Sequence, residues 1–149
     1  MSDEPVFREV QRFRQRWLWL LLGGVFAFSL LLGPVSIVGF AVSAAVGALL
    51  YSARLETEVR DDGVYVRFVP FHRSPRRIGW EEMTSAEATE YSPIGEFGGW
   101  GLRWRPGSVA YSVSGTEAVR IERPDEKTVV VGSQRASEFA AAIERARRQ

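Results

Sequence analysis

The glycine-rich stretch EFGGWGLRWR at residues 96–105 is the first place where residue types and spacing could support chemistry. A dinucleotide loop needs G-x-G-x-x-G between a strand and a helix, and a phosphate-binding P-loop ends in G-K-S or G-K-T. The glycines at 95, 98, 99 and 101 fit neither spacing, and no lysine follows them. Glycines before and within a strand are typical of a bulge or sharp bend. We therefore interpret this stretch as a bend that leads into a strand.

The strand predicted at the end of this stretch alternates apolar and basic side chains. Trp100, Leu102 and Trp104 fall on one face, and Arg103 and Arg105 fall on the other, because successive side chains of a strand point to opposite faces. The pattern predicts that the two tryptophans belong to the core. An exposed tryptophan would instead mark a recognition site. The two arginines are candidate contacts with lipid or with a partner.

The loop HRSPRR is a second candidate site, because it carries Arg73, Arg76 and Arg77. A basic residue held near an anionic membrane surface contributes about 1 kcal/mol. One interpretation of the loop is therefore contact with anionic lipid head groups. The favoured interpretation is a solvated turn in which Arg76 and Arg77 form ion pairs with Glu81 and Glu82, since surface arginines usually bind nothing specific and exposed pairs contribute little.

Groups suited to catalysis are few. The chain has one histidine and no cysteine, so it offers no His/Cys metal cluster and no thiol nucleophile. Adjacent carboxylates such as Glu81 and Glu82 would point to opposite faces of a strand. Ser92 lies in EYSPIG, which is not the G-x-S-x-G elbow of a hydrolase. We expect no catalytic residue, no metal and no cofactor, and an uncharacterised enzyme is the less favoured alternative.

Charge composition argues against a general nucleic-acid binder. The net charge of the chain is +1, and basic and acidic side chains are equal in number over residues 54–149. Binding to nucleic acid relies on a basic excess that displaces counterions from the phosphates. We therefore expect no nucleic-acid partner.

An apolar run without any charged residue extends over residues 17–53. As one helix it would reach roughly 55 Å, against a hydrocarbon core of about 30 Å. The pair Gly33-Pro34 marks a break near its middle. The pattern predicts a transmembrane helical hairpin of residues 17–32 and 35–52. A re-entrant wedge is an alternative, since each half is short for a span, and the run is too long for a cleaved signal peptide.

Basic residues flank the predicted hairpin on both sides. Arg8, Arg12, Arg14 and Arg16 precede it and Arg54 follows it, while the tip carries no basic residue. By the positive-inside rule, both termini are expected in the cytoplasm. The sequence thus predicts a multi-pass protein of the cell membrane.

Small residues recur four positions apart in both predicted helices: Gly39, Ser43 and Gly47 in the second, and Gly23 and Ala27 in the first. Faces of this kind allow membrane helices to approach closely. The spacing predicts helix packing, either within the hairpin or between protomers of a homo-oligomer.

After residue 53 the pattern changes to short alternating segments separated by turn signals. Strands are predicted at 55–60, 64–71, 78–92 (one or two strands), 101–105, 109–113, 117–122 and 127–132. Asp61-Asp62-Gly63 predicts a hairpin turn. The last segment, SQRASEFAAAIERARRQ, predicts a C-terminal helix with one apolar stripe, formed by Phe139, Ala142, Ile143 and Ala146.

The order of these features resembles small bacterial and archaeal membrane proteins that carry a PH-like domain, a family largely of unknown function. The matching segments are DDGVYVRFVPF, RRIGWEEM, GGWGLRW, AYSVSGTEAVRIE and TVVVGSQRASEFAAAI, within about residues 50–146. The resemblance implies an α+β, mainly β fold with membrane helices, in which a seven-stranded antiparallel barrel is capped by the C-terminal helix. PH-like scaffolds bind lipid head groups, peptides and proteins, so the fold alone selects no ligand.

These observations predict a cytoplasmic N-terminal segment (1–16), a transmembrane hairpin (17–53) and a PH-like domain (54–149). The predicted function is that of a non-catalytic, membrane-anchored interaction module. It would bind a protein or peptide partner, or anionic lipid head groups, at the cytoplasmic face. The alternative is a structural or assembly subunit of a membrane complex.

Overall fold

The computed structural model describes residues 4–33, 36–124 and 126–149. The chain divides into two compact units. The β unit is formed by the residues up to Arg12 together with Arg54–Gln149, and the helical unit is formed by Phe13–Ala53. The helical unit is therefore inserted into the sequence of the β unit.

The helical unit contains α1 (Arg16–Leu31) and α2 (Ser36–Ser52), of 16 and 17 residues. Each is about 25 Å long at 1.5 Å per residue. No helix within the described residues is long and apolar enough to cross a membrane. The prediction of a transmembrane hairpin is therefore wrong. The localisation derived from it, a multi-pass protein of the cell membrane with both termini in the cytoplasm, is wrong as well.

The apolar run is interrupted, which explains why its total length wrongly suggested membrane-spanning helices. α1 ends at Leu31, and Gly33 adopts a left-handed φ of 71°, a conformation that favours glycine. Two predicted positions lie outside the described residues: Pro34, the second residue of the predicted break, and Val35, the predicted start of the second helix. The run is thus divided into two helices, each shorter than the roughly 20 residues that a span requires.

The β unit contains two sheets. The first sheet is antiparallel and has the order β1 (Phe7–Arg12), β2 (Arg54–Arg60), β3 (Gly63–Val69), β4 (Arg76–Gly79). The second sheet has the order β5 (Ser85–Glu90), β8 (Glu117–Glu122), β9 (Thr128–Gly132), β7 (Ser108–Ser112), β6 (Gly101–Arg105). In the second sheet β9 runs parallel to β7, and the other neighbours are antiparallel.

Both sheets are open, so the predicted seven-stranded barrel is wrong. Within the described residues, β1 and β4 end the first sheet, and β5 and β6 end the second. β6 pairs only with β7 and is an edge strand, so the second sheet does not close onto the first. The observed class is mixed α+β, with two open sheets and four helices among the described residues.

The C-terminal helix is confirmed as α4 (Ala136–Arg147). All four residues of its predicted apolar stripe, Phe139, Ala142, Ile143 and Ala146, are buried. α4 packs against β2 and β3 of the first sheet and against β5 and β8 of the second. The helix therefore joins the two sheets into one core.

The first strand lies in a segment where the sequence predicted no strand. Phe7, Glu9 and Gln11 alternate with exposed residues and face the interior. Phe7 stacks on Phe139 of α4, with 5.1 Å between ring centroids. The amide Nε2 of Gln11 donates to the carbonyl of Gly132 at 2.7 Å. β1 is thus fastened to both the second sheet and α4.

Candidate functional site

A cleft of about 410 Å³ opens in the β unit between β4 of the first sheet and the β6–β7 hairpin of the second. Val66, Ile78, Val109 and Val129 form its apolar floor. All four are buried aliphatic residues, supplied by β3, β4, β7 and β9. Because the two sheets do not close on each other here, part of this inner surface stays open to ligands.

Trp104 lies at the mouth of the cleft. It pairs with Val109 in the β6–β7 register, so its ring lies on the inner face of the sheet, as the alternation predicted. The ring is nevertheless 65% exposed, and the prediction that it belongs to the core is wrong. β6 is an edge strand and Trp104 lies beside its turn, so the surrounding strands cover only part of the ring.

The other tryptophans of this region are not in the core either. Trp80 and Trp100 are both half-buried. The indole N–H of Trp80 donates to the carbonyl of Asp61 at 2.7 Å. That of Trp100 donates to the carbonyl of Gly115 at 3.1 Å. Each indole therefore fixes a neighbouring turn, and only Trp104 presents most of its ring to solvent.

Basic side chains line the cleft. Arg76 is the cross-strand neighbour of Val66, so it belongs to the inner face of the first sheet, and Lys127 lies in the loop before β9. Neither forms an ion pair with any residue in the described part of the chain. A third cation, Arg123, pairs with Glu126. The cleft therefore has an excess of positive charge.

The base of the cleft includes an aromatic contact next to Arg76. Tyr111 lines the cleft, and its ring centroid lies 5.7 Å from that of His72. Nδ1 of His72 accepts the backbone N–H of Phe68 at 3.3 Å. Burial lowers the pKa of His72, and the charge of Arg76 lowers it further. Both effects favour the neutral form of His72, the form that can accept this hydrogen bond.

The arginines of the HRSPRR loop do not converge. Arg73 is exposed in the loop, whereas Arg77 is the cross-strand neighbour of Tyr65 and lies on the outer face of the first sheet. Nε of Arg77 lies 3.0 Å from Asp62, and its NH1 lies 3.4 Å from Glu81. The predicted ion pair between Arg77 and Glu81 is thus confirmed.

The remaining loop arginine behaves differently. Arg76, expected to pair with a neighbouring glutamate, extends into the cleft without an ion pair among the described residues. On the opposite face, the hydroxyl of Tyr65 donates to Asp62 at 2.8 Å. This bond lowers the pKa of Asp62 and raises that of Tyr65. The charge of Arg77 is therefore neutralised locally, and that of Arg76 is available to a ligand.

Arg103 and Arg105 lie on the outer face of the second sheet, away from the cleft. Nε of Arg103 donates to the carbonyl of Trp100 at 3.2 Å, and NH1 of Arg105 donates to the carbonyl of Glu96. The Arg105 bond fastens α3 (Pro93–Phe97) to the sheet. The two side chains remain exposed.

The glycine-rich stretch ends a helix that the sequence analysis did not predict. Ser92 caps α3 by accepting the N–H of Gly95 at 3.0 Å, and Pro93 occupies the first turn. Gly98 ends the helix with a left-handed φ of 71°. A serine followed by proline, with glycine just past the helix, is the signal that could have identified this element.

The small residues of α2 lie on the face that meets α1. A Cβ added at Gly39 would lie 3.0 Å from Oγ of Ser29, and one added at Gly47 would lie 3.1 Å from Cδ2 of Leu22. Ser43, between these glycines, is buried. The close approach predicted from the spacing is therefore used inside the helical unit.

Gly23 and Ala27 of α1 lie on the outside of the helical unit. A Cβ added at Gly23 would have no atom within 4 Å, and Ala27 is exposed. α1 also exposes large apolar side chains, including Leu20 and Phe28. Within the described residues, this second small-residue pair thus has no helix packed against it.

Among the residues that the structure describes, no group of three or more His, Cys, Asp or Glu side chains is placed to hold a metal ion. No protein-family model matches the chain, and comparisons with curated proteins and with solved structures also give no match. The resemblance to PH-like membrane proteins is therefore wrong. No family match supports it, both sheets are open, and no described helix could span a membrane.

Proposed function

We propose that the protein is a non-catalytic binding module whose cleft holds an extended acidic segment of a partner protein. The observation that carries this proposal is the exposed ring of Trp104 at the mouth of an apolar cleft that also contains Arg76 and Lys127. Tryptophan and arginine are among the residues most enriched at the positions that dominate binding energy.

Contact with Trp104 would bring most of the affinity. Tryptophan side chains bury roughly 150–250 Å², and 65% of this residue is still exposed. Covering the exposed part would remove on the order of 100–160 Å² of mainly apolar surface from water, which corresponds to about 2.5–4 kcal/mol before the costs of association. An aliphatic or aromatic side chain of the partner would occupy this position.

Arg76 and Lys127 define the charge of the partner. Both cations face the cleft without an ion pair among the described residues, next to buried apolar residues that reduce solvent screening. A carboxylate placed between them would gain charge-assisted hydrogen bonds. An acidic residue near an apolar one is therefore the expected motif.

A protein segment fits this site better than a lipid head group. A phosphate could contact Arg76 and Lys127, but a head group alone would leave the apolar floor and the exposed ring of Trp104 uncovered. The cleft combines an apolar floor with a few basic groups, which suits a segment that carries both an apolar side chain and a carboxylate.

The test is selection of random peptides displayed on phage against the full chain. The proposal predicts enrichment of peptides that combine Asp or Glu with an apolar residue. Their dissociation constants are then measured by fluorescence polarisation. Trp104→Ala should weaken binding by about 30-fold or more, the loss typical of a dominant contact residue, whereas the matched variant Trp100→Ala should leave binding unchanged.

Charge and lipid controls complete the test. Arg76→Gln should weaken the selected acidic peptides, and Arg77→Gln should not. Selection of peptides without acidic residues, or equal affinity for Trp104→Ala, would contradict the proposal. Co-sedimentation with phosphatidylserine vesicles that depends on Arg76 but not on Trp104 would assign the cleft to lipid head groups instead.

A further inference from the structure

We infer that the partner segment binds as an additional strand along the free edge of β6, while its inward side chains enter the cleft. This inference rests on the proposed function and specifies how the partner is held. Binding by strand addition supplies main-chain hydrogen bonds for affinity and uses alternate side chains for selectivity.

The geometry of the β6–β7 hairpin determines which backbone groups of β6 are free. Pro106 and Gly107 form its two-residue turn, and Gly107 has a positive φ of 77°. The residues that flank such a turn, Arg105 and Ser108, exchange hydrogen bonds with each other. Hydrogen-bonded and non-hydrogen-bonded residue pairs alternate along an antiparallel ladder, so the backbone of Arg103 is also hydrogen-bonded to β7.

The intervening residues of β6 direct their backbone groups away from β7. Leu102 and Trp104 occupy the non-hydrogen-bonded positions of the antiparallel ladder, so their N–H and C=O groups lie at the outer edge of the sheet. In the described part of the chain, no strand pairs with this edge. An added strand would therefore bond to Leu102 and Trp104, the residue that anchors the cleft.

Charge around β6 favours an acidic strand. Arg76 and Lys127 face the cleft on the inner side, and Arg103 and Arg105 are exposed on the outer side. The latter two donate to neutral carbonyls and form no ion pair within the described residues. Oppositely charged side chains on neighbouring strands stabilise pairing. Acidic residues on both faces of the partner strand would meet arginine or lysine.

The same charges disfavour pairing of β6 with a second copy of itself, because like charges directly opposite each other are destabilising. The edge of β4 is a poorer site for an acidic strand. β4 has four residues, and the charge of its Arg77 is already neutralised by Asp62 and Glu81. Among these edges, β6 combines free backbone groups with unneutralised positive charge.

The experiment uses the full chain and the tightest peptide obtained by phage selection. In the protein, amide hydrogen exchange is followed by NMR. The amides of Leu102 and Trp104 should exchange about tenfold or more slowly in the complex, the effect of one new hydrogen bond. The amides of Arg103 and Arg105, already bonded to β7, should change little.

In the peptide, each backbone nitrogen is methylated in turn. Methylation at alternate positions should weaken binding by about tenfold or more, because each such position loses a main-chain bond, and methylation at the intervening positions should have little effect. A peptide in which Asn and Gln replace Asp and Glu measures the contribution of charge to binding, because its shape is nearly unchanged.

The outcomes separate the two proposals. If Trp104→Ala abolishes binding but no alternating methylation pattern or new protection at Leu102 and Trp104 is found, strand addition is wrong and the cleft function stands. If Trp104→Ala binds normally, the cleft function fails. New protection confined to β4 amides would also overturn the assignment to β6.

Discussion

Replacing Glu9 by glutamine tests how β1 is held in the β unit. The carboxylate of Glu9 is buried, with 8% of the residue exposed. It accepts the hydroxyl of Ser133 at 2.5 Å and the backbone N–H of Gln134 at 2.9 Å. These two donors lie between β9 and α4, so the carboxylate connects the first strand to the last elements of the chain.

The expected loss of stability follows from these two hydrogen bonds. A hydrogen bond to a charged group contributes about 1.5–3 kcal/mol, and a neutral one about 1 kcal/mol. Glutamine keeps the shape of the side chain but places an NH₂ group opposite one of the two donors. Part of the loss is offset, because a neutral amide costs less to bury than a carboxylate. We expect Glu9→Gln to lower the free energy of unfolding by about 2 kcal/mol.

Glu9→Ala should cost more, about 3–4 kcal/mol, because both bonds are lost and the N–H of Gln134 is left without its acceptor. Urea unfolding, followed by far-UV circular dichroism, measures both variants. With an m-value of about 2 kcal/mol/M, Glu9→Gln should lower the midpoint by about 1 M at an unchanged slope.

Glu87→Gln is the matched control, since Glu87 is exposed on β5, and its effect should stay within about 0.5 kcal/mol. A double-mutant cycle with Ser133→Ala assigns the coupling to the bond between Glu9 and Ser133. If Glu9→Gln is no more destabilising than Glu87→Gln, the carboxylate does not fasten β1 and the reasoning is refuted.

Two further substitutions test other parts of the structure. Gly39→Leu should destabilise the helical unit by about 1–3 kcal/mol, because a Cβ there would lie 3.0 Å from Oγ of Ser29. Gly23→Leu is the control and should not destabilise it, because the space around Gly23 is open. Equal thermal midpoints of the two variants by circular dichroism would contradict the packing of Gly39 against α1. The pKa of His72 is below its usual 6.5 because of burial, and protonation would remove its bond from the N–H of Phe68. The unfolded chain therefore takes up a proton first, so the free energy of unfolding should fall as the pH falls through about 6.5 and below. Urea titrations across this range should show that the free energy of unfolding depends less on pH in His72→Gln than in the unmodified chain. An equal pH dependence in both would mean that a group other than His72 causes it.

Most elements of the β unit could be predicted because their signals are local. The segment EAVRIE was predicted as a strand at 117–122, and β8 has these bounds. The Asp61-Asp62-Gly63 turn joins β2 to β3 as predicted. Alternation with a period of two, turn residues and a period of 3.6 all depend on neighbouring residues, so they can be recognised without knowing the fold.

Elements that depend on distant partners were missed. β1 is a six-residue strand whose pairing partner, β2, follows the whole helical unit in the sequence. α3 is only five residues long and is held by Arg105 from the next strand. Such short segments owe their conformation mainly to tertiary contacts, which a periodicity analysis does not contain.

For the candidate site, sequence and structure each decided a different part. The sequence by itself determined that Trp104 faces the same side as Leu102 and that Arg103 and Arg105 face the other, because side chains alternate along a strand. Only the tertiary structure decided that this inner side is open at Trp104, since β6 pairs only with β7 and no strand of the described residues covers its other edge. It also placed Arg76, distant in sequence, in the same cleft. Alternation is a local property of the backbone, whereas exposure depends on which strands pair, and that is decided by contacts between residues far apart in the chain.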